Sequence, residues 1–290
     1  SQPKRLLITG SAGYFGRRVT QLAGTWDLTH SWHAALPDHT LPGTAVRLDL
    51  CDAHAVRTLI MQQRPTAIIH AACSHQSVEA IVPAAHNLAE AAAECSSRLV
   101  HVSTDMVLDG NHAPYSDDAD PNPLHPYGKA KAAAENIIAS YCPTAAIVRT
   151  SLIFGIAPLD HQTRWLSSDA AAGKPVRLFT DEMRCPIWVD TLAHALLELA
   201  SNDYAGFVNV GSPEALNRWE FGLKMLTLMG MKPGVNVRPA LQADSNLVRP
   251  KNLTLDVRLA QQLLLTPLLT VDEAIEHITG HREPTQQVVD

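Results

Sequence analysis

Apolar residues in this chain gather in short, nearly unbroken runs: "RLLIT" (Arg5 to Thr9), "AVRLDL" (45 to 50), "AIIHAA" (67 to 72), "RLVHVST" (98 to 104) and "AAIVRT" (145 to 150). Runs of this length, apolar at both alternating sets of positions, predict strands of a parallel sheet covered on both faces. Between them, residues 13 to 22, 53 to 63, 82 to 96 and 127 to 141 read as helices, the first with Phe15, Val19 and Leu22 at helical spacing. Repeated strand–helix alternation predicts a doubly wound parallel α/β sheet. In such sheets ligands sit beyond the carboxyl ends of the strands, and those ends are where the unusual residues of this chain fall.

After about residue 152 the alternation loosens. "FGIAPLDHQTRW" reads as a loop, and 190 to 201 and 217 to 230 read as helices. The expected organisation is a nucleotide-binding domain over 1–152 and a smaller substrate-binding region over 153–290, with parts of about 185–212 returning to the main sheet. The last ten residues, "HREPTQQVVD", read as a frayed end.

Composition narrows the function classes. A net charge of -6 over 290 residues, with no run of like charges, gives no reason to expect a nucleic-acid or membrane partner. No apolar run approaches the roughly 18 residues of a membrane span. The five cysteines (51, 73, 95, 142 and 185) are far apart and form no CxxC, which argues against a disulfide framework or a metal cluster. None of the 14 histidines lies in an HExxH pattern, so no metal site is expected. The first strand begins almost at once, leaving no room for a signal peptide, so a cytoplasmic protein with reduced thiols is expected.

The first strand runs into "ITGSAGYFGRRV", which places Gly10, Gly13 and Gly16 in the turn to the first helix. Glycines there allow a tight turn and close approach of a pyrophosphate to the helix N-terminus, whose free N–H groups and dipole favour anions. The spacing is GxxGxxG, not the general GxGxxG, and such a turn can also be purely structural. Nucleotide binding is the favoured reading, with Tyr14, Phe15 and Arg17 at the same turn. An acid for a ribose 2′-hydroxyl is expected at the end of the second strand. There the chain offers His30, Ser31 and His33, while Asp27 stands at the strand's start. Arg17 and Arg18 follow the last glycine and could face a 2′-phosphate, or be solvated helix residues. NADP is therefore preferred over NAD.

The strand "RLVHVSTDMVLDG" delivers Ser103, Thr104 and Asp105 to the functional edge, and "YGKAKAAAENIIASY" follows as a helix beginning near Tyr127. At about 100° per residue, with Tyr127 at zero, Lys131 falls at about +40° and Lys129 near 200°. Lys131 thus lies beside the tyrosine at the edge of the apolar face, within reach of Glu135 as an i,i+4 pair, while Lys129 points to solvent. A free phenol, with a pKa near ~10, exchanges protons sluggishly at neutral pH. A neighbouring cation lowers that value. A surface tyrosine and lysine at helical spacing is the bland alternative.

Together "TGSAGYFG", "LDLCD", "HAAC", "STDMVLDG" and "YGKAK", in this order, resemble the extended short-chain dehydrogenase/reductase family over about the first 150 residues. With "VRTSLIFG", "DEMRCPIWVDTLA" and "VRPKNLTLD", the likeness narrows to the dTDP-4-dehydrorhamnose reductase subgroup. The resemblance implies a Rossmann-type fold and a catalytic triad of Thr104, Tyr127 and Lys131, with Lys131 also holding the nicotinamide ribose. It implies that Asp49, beside Leu50, accepts from the adenine amino group, and that Ala71, Ala72 and Cys73 line the cofactor. On the substrate side it implies Asp105 and Ser151, with Arg184 and Arg249 as contacts for a sugar or its phosphates, or else as salt-bridge tethers. The implied reaction is hydride transfer from NAD(P)H to a ketone of a nucleotide sugar or a related small carbonyl, and a homodimer is left open.

Two departures from the subgroup stand out. His70 opens a short "HAACSHQSVEAIVP" where "NAAA" and a longer segment are usual, so the substrate need not be the usual one. Met106 follows Thr104 and Asp105 where nucleotide-sugar dehydratases carry glutamate, which disfavours a dehydratase. The alternatives are an epimerase, and a non-catalytic NADP-binding regulatory subunit like that of methionine adenosyltransferase.

Overall fold

The computed structural model describes residues 4–73, 77–245 and 248–280. Positions 74–76 of the "HAACSHQSVEAIVP" segment and the expected frayed tail at 281–290 lie outside the described residues. Six parallel strands form, β2 from the more polar "DLTHSW" and the others from the apolar runs: β1 (Arg5–Thr9), β2 (Asp27–Trp32), β3 (Thr44–Arg47), β4 (Ala67–His70), β5 (Arg98–Thr104) and β6 (Ala146–Thr150). A later strand, Gly206–Val210, pairs with β6, also in parallel, and completes a sheet ordered from that edge as Gly206–Val210, β6, β5, β4, β1, β2, β3. The order reverses between β1 and β4, the switch point where open α/β sheets bind ligands.

Alternation along each strand sends side chains to opposite faces. Leu7, Ile68, Leu99 and Ile147 pack under α2 (Ala53–Gln63), α3 (Ile81–Cys95) and α4 (Pro126–Tyr141). Leu6, Ile8, Ile69, Val100 and Val148 pack against α1 (Tyr14–Leu22) and the helix Val189–Ser201. Both faces of the central strands β1, β4, β5 and β6 are therefore dry, which is why these read as unbroken apolar runs, while the edge strand β3 is largely exposed.

A second core, around Phe154, Leu166, Leu178, Phe221, Met225 and Val237, lies between the helices His161–Ala171 and Arg218–Leu228 and the paired strands Val176–Phe179 and Val237–Ala240. Here the expected loop at 154–165 is corrected. Its last five residues are the first turns of the helix His161–Ala171, whose N-cap Asp160 accepts from the Thr163 N–H at 2.9 Å. The pattern was easy to miss because that helix buries only Thr163 and Leu166, leaving Trp165 42% exposed. No helix of the described residues is long and apolar enough to cross a membrane.

Candidate active site

The glycine turn is built for close backbone approach. Gly10 has φ +81°, and a Cβ there would lie 2.6 Å from Ala72 Cα; one on Gly16 would lie 2.2 Å from the Gly10 carbonyl oxygen. Glycine is the residue that meets both demands. The α1 N-terminus is capped by Gly13 with no side-chain hydrogen bond, so no side chain competes for the first-turn N–H groups. This cradle, facing the backbone of Ala71 and Ala72, fits the pyrophosphate of a dinucleotide.

Two side chains of the turn are engaged within the protein. Phe15 points its ring into the core, 9% exposed, so only its backbone belongs to the turn. Arg18 is taken by a bidentate pair with Asp190, both contacts at 2.6 Å, and joins α1 to the helix Val189–Ser201. Tyr14 packs its hydroxyl against Gly155, whose added Cβ would lie 2.3 Å from it. That hydroxyl is buried without a hydrogen-bond partner among the described residues, and burial, followed by Asp160 and Asp190, pushes its pKa up.

Arg17 faces the loop after β2, where its Nη2 donates to Asp38 at 2.7 Å. Asp38 was not singled out from the sequence, since it stands beyond the strand end where an acid is expected. It is held in place by the Thr40 N–H and hydroxyl, and those bonds lower its pKa. Of the two histidines at the end of β2, His30 is buried, its Nδ1 2.8 Å from Ser11 Oγ, while His33 is exposed. Asp49 remains exposed after β3, one oxygen accepting from the Cys51 N–H and the other 3.8 Å from His33. The Leu50 carbonyl accepts from Asn87 at 2.9 Å.

At the end of β5, Thr104 Oγ1 accepts from the Met106 N–H at 3.2 Å and stands beside the Tyr127 phenol, whose pKa it lowers. Tyr127 comes this near because α4 carries Gly128 next to it. A Cβ at 128 would fall 2.2 Å from the Met106 carbonyl oxygen, so a side chain there would lift the helix off the β5 turn. Cys73 Sγ lies 3.7 Å from the Tyr127 hydroxyl and brings the Ala71–Cys73 segment to the same point.

Lys129 is exposed and Lys131 is 2% exposed, the division that the helical wheel expects. The i,i+4 partner is corrected. Glu135 is bound bidentately by Arg149, at 3.0 and 2.8 Å, and by Ser103 Oγ at 2.5 Å. Lys131 Nζ instead donates to the Val102 carbonyl at 2.6 Å and lies 3.4 Å from His101 Nε2. Burial, partly offset by Cys73 and Glu135, lowers the Lys131 pKa. The Tyr127 phenol is pushed up, first by burial and then by Cys73 and Asp105, with Thr104 opposing, where the sequence reading expected it lowered.

On the substrate side, Asp105 is fully buried and both its oxygens are used. Arg184 donates to them at 2.8 and 2.6 Å, and Ser151 Oγ donates to Oδ2 at 2.6 Å while accepting from the Cys185 N–H. Asp105, Ser151 and Arg184 therefore tie the β5 end to the later segment, the salt-bridge alternative the sequence offers for Arg184. Arg249 keeps an open face: it is 42% exposed, 3.5 Å from Glu182 and over the Phe179 ring. Glu182 also lies near Arg184 and Arg218, so three arginines surround one buried carboxylate. Arg218 lies outside the quoted segments, and Glu182, inside "DEMRCPIWVDTLA", was not singled out as a site residue.

The parallel sheet with its switch point, and the glycine turn at β1, make this a Rossmann-type α/β protein. The chain belongs to the RmlD substrate binding domain family, which matches residues 4–282. It is 36% identical over 163 residues to methionine adenosyltransferase 2 subunit beta of Danio rerio, a stretch covering 52% of this chain and 49% of that one. It is 26% identical to dTDP-4-keto-6-deoxy-D-glucose reductase of Streptomyces niveus, over 91% of this chain and 92% of that protein. Among solved structures, dTDP-4-dehydrorhamnose reductase of Bacillus anthracis str. Ames in complex with NADP superposes with a TM-score of 0.83, at 21% identity, over 97% of this chain and 100% of that one.

Proposed function

We infer that this protein is an NADP(H)-dependent reductase acting on a ketone, most simply a 4-keto nucleotide sugar. The observation that carries the reading is the meeting of the Thr104 and Tyr127 hydroxyls at the functional edge, with Lys131 one turn along the same helix. The reductase of Streptomyces niveus and the NADP complex of Bacillus anthracis supply the substrate and cofactor classes.

In this reading the pyrophosphate rests on the cradle of Gly10, Gly13 and Gly16, and Arg17 turns from Asp38 to a 2′-phosphate. The hydride added to the carbonyl carbon is what a bound NADPH supplies. Thr104 holds the carbonyl oxygen by a hydrogen bond, and Tyr127 gives it a proton. The raised pKa suits that direction, because burial keeps the phenol protonated until a better acceptor forms beside it. Lys131 then stabilises the phenolate left behind. Arg249 is the open cation for the sugar's anionic end.

The test is a panel of nucleotide 4-keto sugars and simple ketones, followed by loss of NADPH or NADH absorbance. Turnover of a keto sugar, faster with NADPH, is the expected result. The relation to a methionine adenosyltransferase subunit supports a second reading, an NADP-binding component of an assembly without turnover of its own. Binding of NADPH with no consumption across the panel, and co-purification with a partner enzyme, would favour that reading over the first.

A further inference from the structure

Thr9, His70 and His101 occupy one register row across β1, β4 and β5. They project to the same face as Leu7, Ile68 and Leu99, into a layer that is otherwise apolar under α3 and α4. All three are buried, at 0%, 3% and 0% exposure. Thr9 Oγ1 accepts from the Ala72 N–H at 3.2 Å, which leaves its own hydrogen for His70 Nδ1 at 2.9 Å. The His70 and His101 rings lie 5.1 Å apart between centroids, tilted by 34°. At the end of the row, His101 Nε2 stands 3.4 Å from Lys131 Nζ.

An apolar row would fill this layer at lower cost, because each buried imidazole loses its hydration. His101 loses more than most, since its Nδ1 is buried with no hydrogen-bond partner among the described residues. What the row provides is an acceptor for a buried ammonium whose nearest acid is engaged elsewhere: Glu135 is held by Arg149 and Ser103. An ammonium has three donors. The Val102 carbonyl and His101 Nε2 hold two of them on the inner side, leaving one for the side of Cys73 and Tyr127.

We propose that His101, seated on His70, is a positioning residue that fixes the Lys131 ammonium in the orientation the site uses. Its importance for turnover rests on the reductase reading above; its effect on Lys131 does not. Burial, with Lys131 next in order, keeps both rings neutral, and His70 is pushed down to about 3, so the acceptor persists through the neutral range.

The test compares three variants. His101→Gln places an amide oxygen where Nε2 stands, His101→Asn reaches only as far as Nδ1, and His101→Phe keeps a ring without an acceptor. The direct readout needs neither cofactor nor substrate: the Lys131 side chain is followed by 13Cε NMR through a pH titration, its resonance assigned with Lys131→Met. His101→Asn and His101→Phe should move the titration midpoint, and His101→Gln should return it towards that of the unaltered protein. Should His101→Phe fail to fold, the comparison of Gln with Asn carries the test alone. An unchanged midpoint in His101→Asn, or equal shifts in Gln and Asn, overturns the proposal. Turnover is read alongside, with kcat expected to fall tenfold or more in His101→Asn and to recover in His101→Gln. If the unaltered protein reduces no carbonyl, the reductase reading fails while the NMR result still decides the role of His101.

Discussion

Replacing Arg149 by methionine tests what keeps Lys131 available. The pair with Glu135 is among the most buried in the molecule, with side chains 2% and 0% exposed, and it ties α4 to β6. Its two bonds measure 3.0 and 2.8 Å, and Arg149 also donates to the Ala119 carbonyl at 2.6 Å and lies over the Phe207 ring. Removing one member of such a pair costs about 3–5 kcal/mol, because the other charge stays buried without its partner. An unfolding entropy of about 2.1 cal/mol/K per residue, over the 290 residues, amounts to about 0.6 kcal/mol/K. Arg149→Met should therefore lower Tm by about 5–8 °C. The freed Glu135, one turn from Lys131, should also draw the ammonium away and weaken NADPH binding. Glu135→Leu added to Arg149→Met removes the stranded charge, and at least half of the lost Tm should return. Differential scanning calorimetry of the two single variants and the double variant closes the cycle. A Tm shift under about 1 °C in Arg149→Met, or a double variant no more stable than it, would refute the reasoning.

Tyr127→Phe should remove most carbonyl reduction while leaving NADPH affinity, by fluorescence titration, nearly unchanged; Lys131→Met should impair both and Lys129→Met neither. Asp38→Asn takes away the carboxylate that holds Arg17 at 2.7 Å and should raise the affinity ratio of NADPH to NADH; an unchanged ratio counts against Arg17 as the 2′-phosphate contact. His70 and His101 have folded-state pKa values below the ordinary 6.5, so above that pH keeping them neutral adds no protonation penalty. As pH falls from 6.5 towards about 3, the unfolded chain takes up protons that folded His70 refuses, and stability is lost. The slope should approach about 1.4 kcal/mol per pH unit for each ring. Urea midpoints between pH 6.5 and 4.5 should decline less steeply in the His70→Gln, His101→Gln double variant, and equal slopes would contradict this account.

The half of the fold built on local rules was readable. Parallel strands buried on both faces are nearly pure apolar runs, and the helices between them keep their period, so β1, β3 to β6 and α1 to α4 fall where the pattern places them, while the polar β2 shows no such run. The choice between Lys129 and Lys131 was also local, a matter of angle on one helix. What escaped was long-range. Nothing near Glu135 says that Arg149 will claim it, and nothing near Asp105 says that Arg184 and Ser151 will occupy both its oxygens. Asp38 escaped because it stands beyond the strand end where such an acid is sought. The helix His161–Ala171 buries too few of its residues to leave a periodic trace. His101 did leave a trace, a lone polar residue on the buried face of an apolar strand, but only its neighbours across the sheet give that residue a meaning.

The strand Gly206–Val210 has a consequence for how the chain is made. It is the partner of β6, yet the ribosome delivers it only after the helices His161–Ala171 and Val189–Ser201. Until then β6 offers a full row of unpaired backbone groups to any strand nearby, a template for aggregation. A fragment cut after β6 would keep that edge open permanently. It should be recovered as inclusion bodies, while a fragment extended past Val210 should stay in solution.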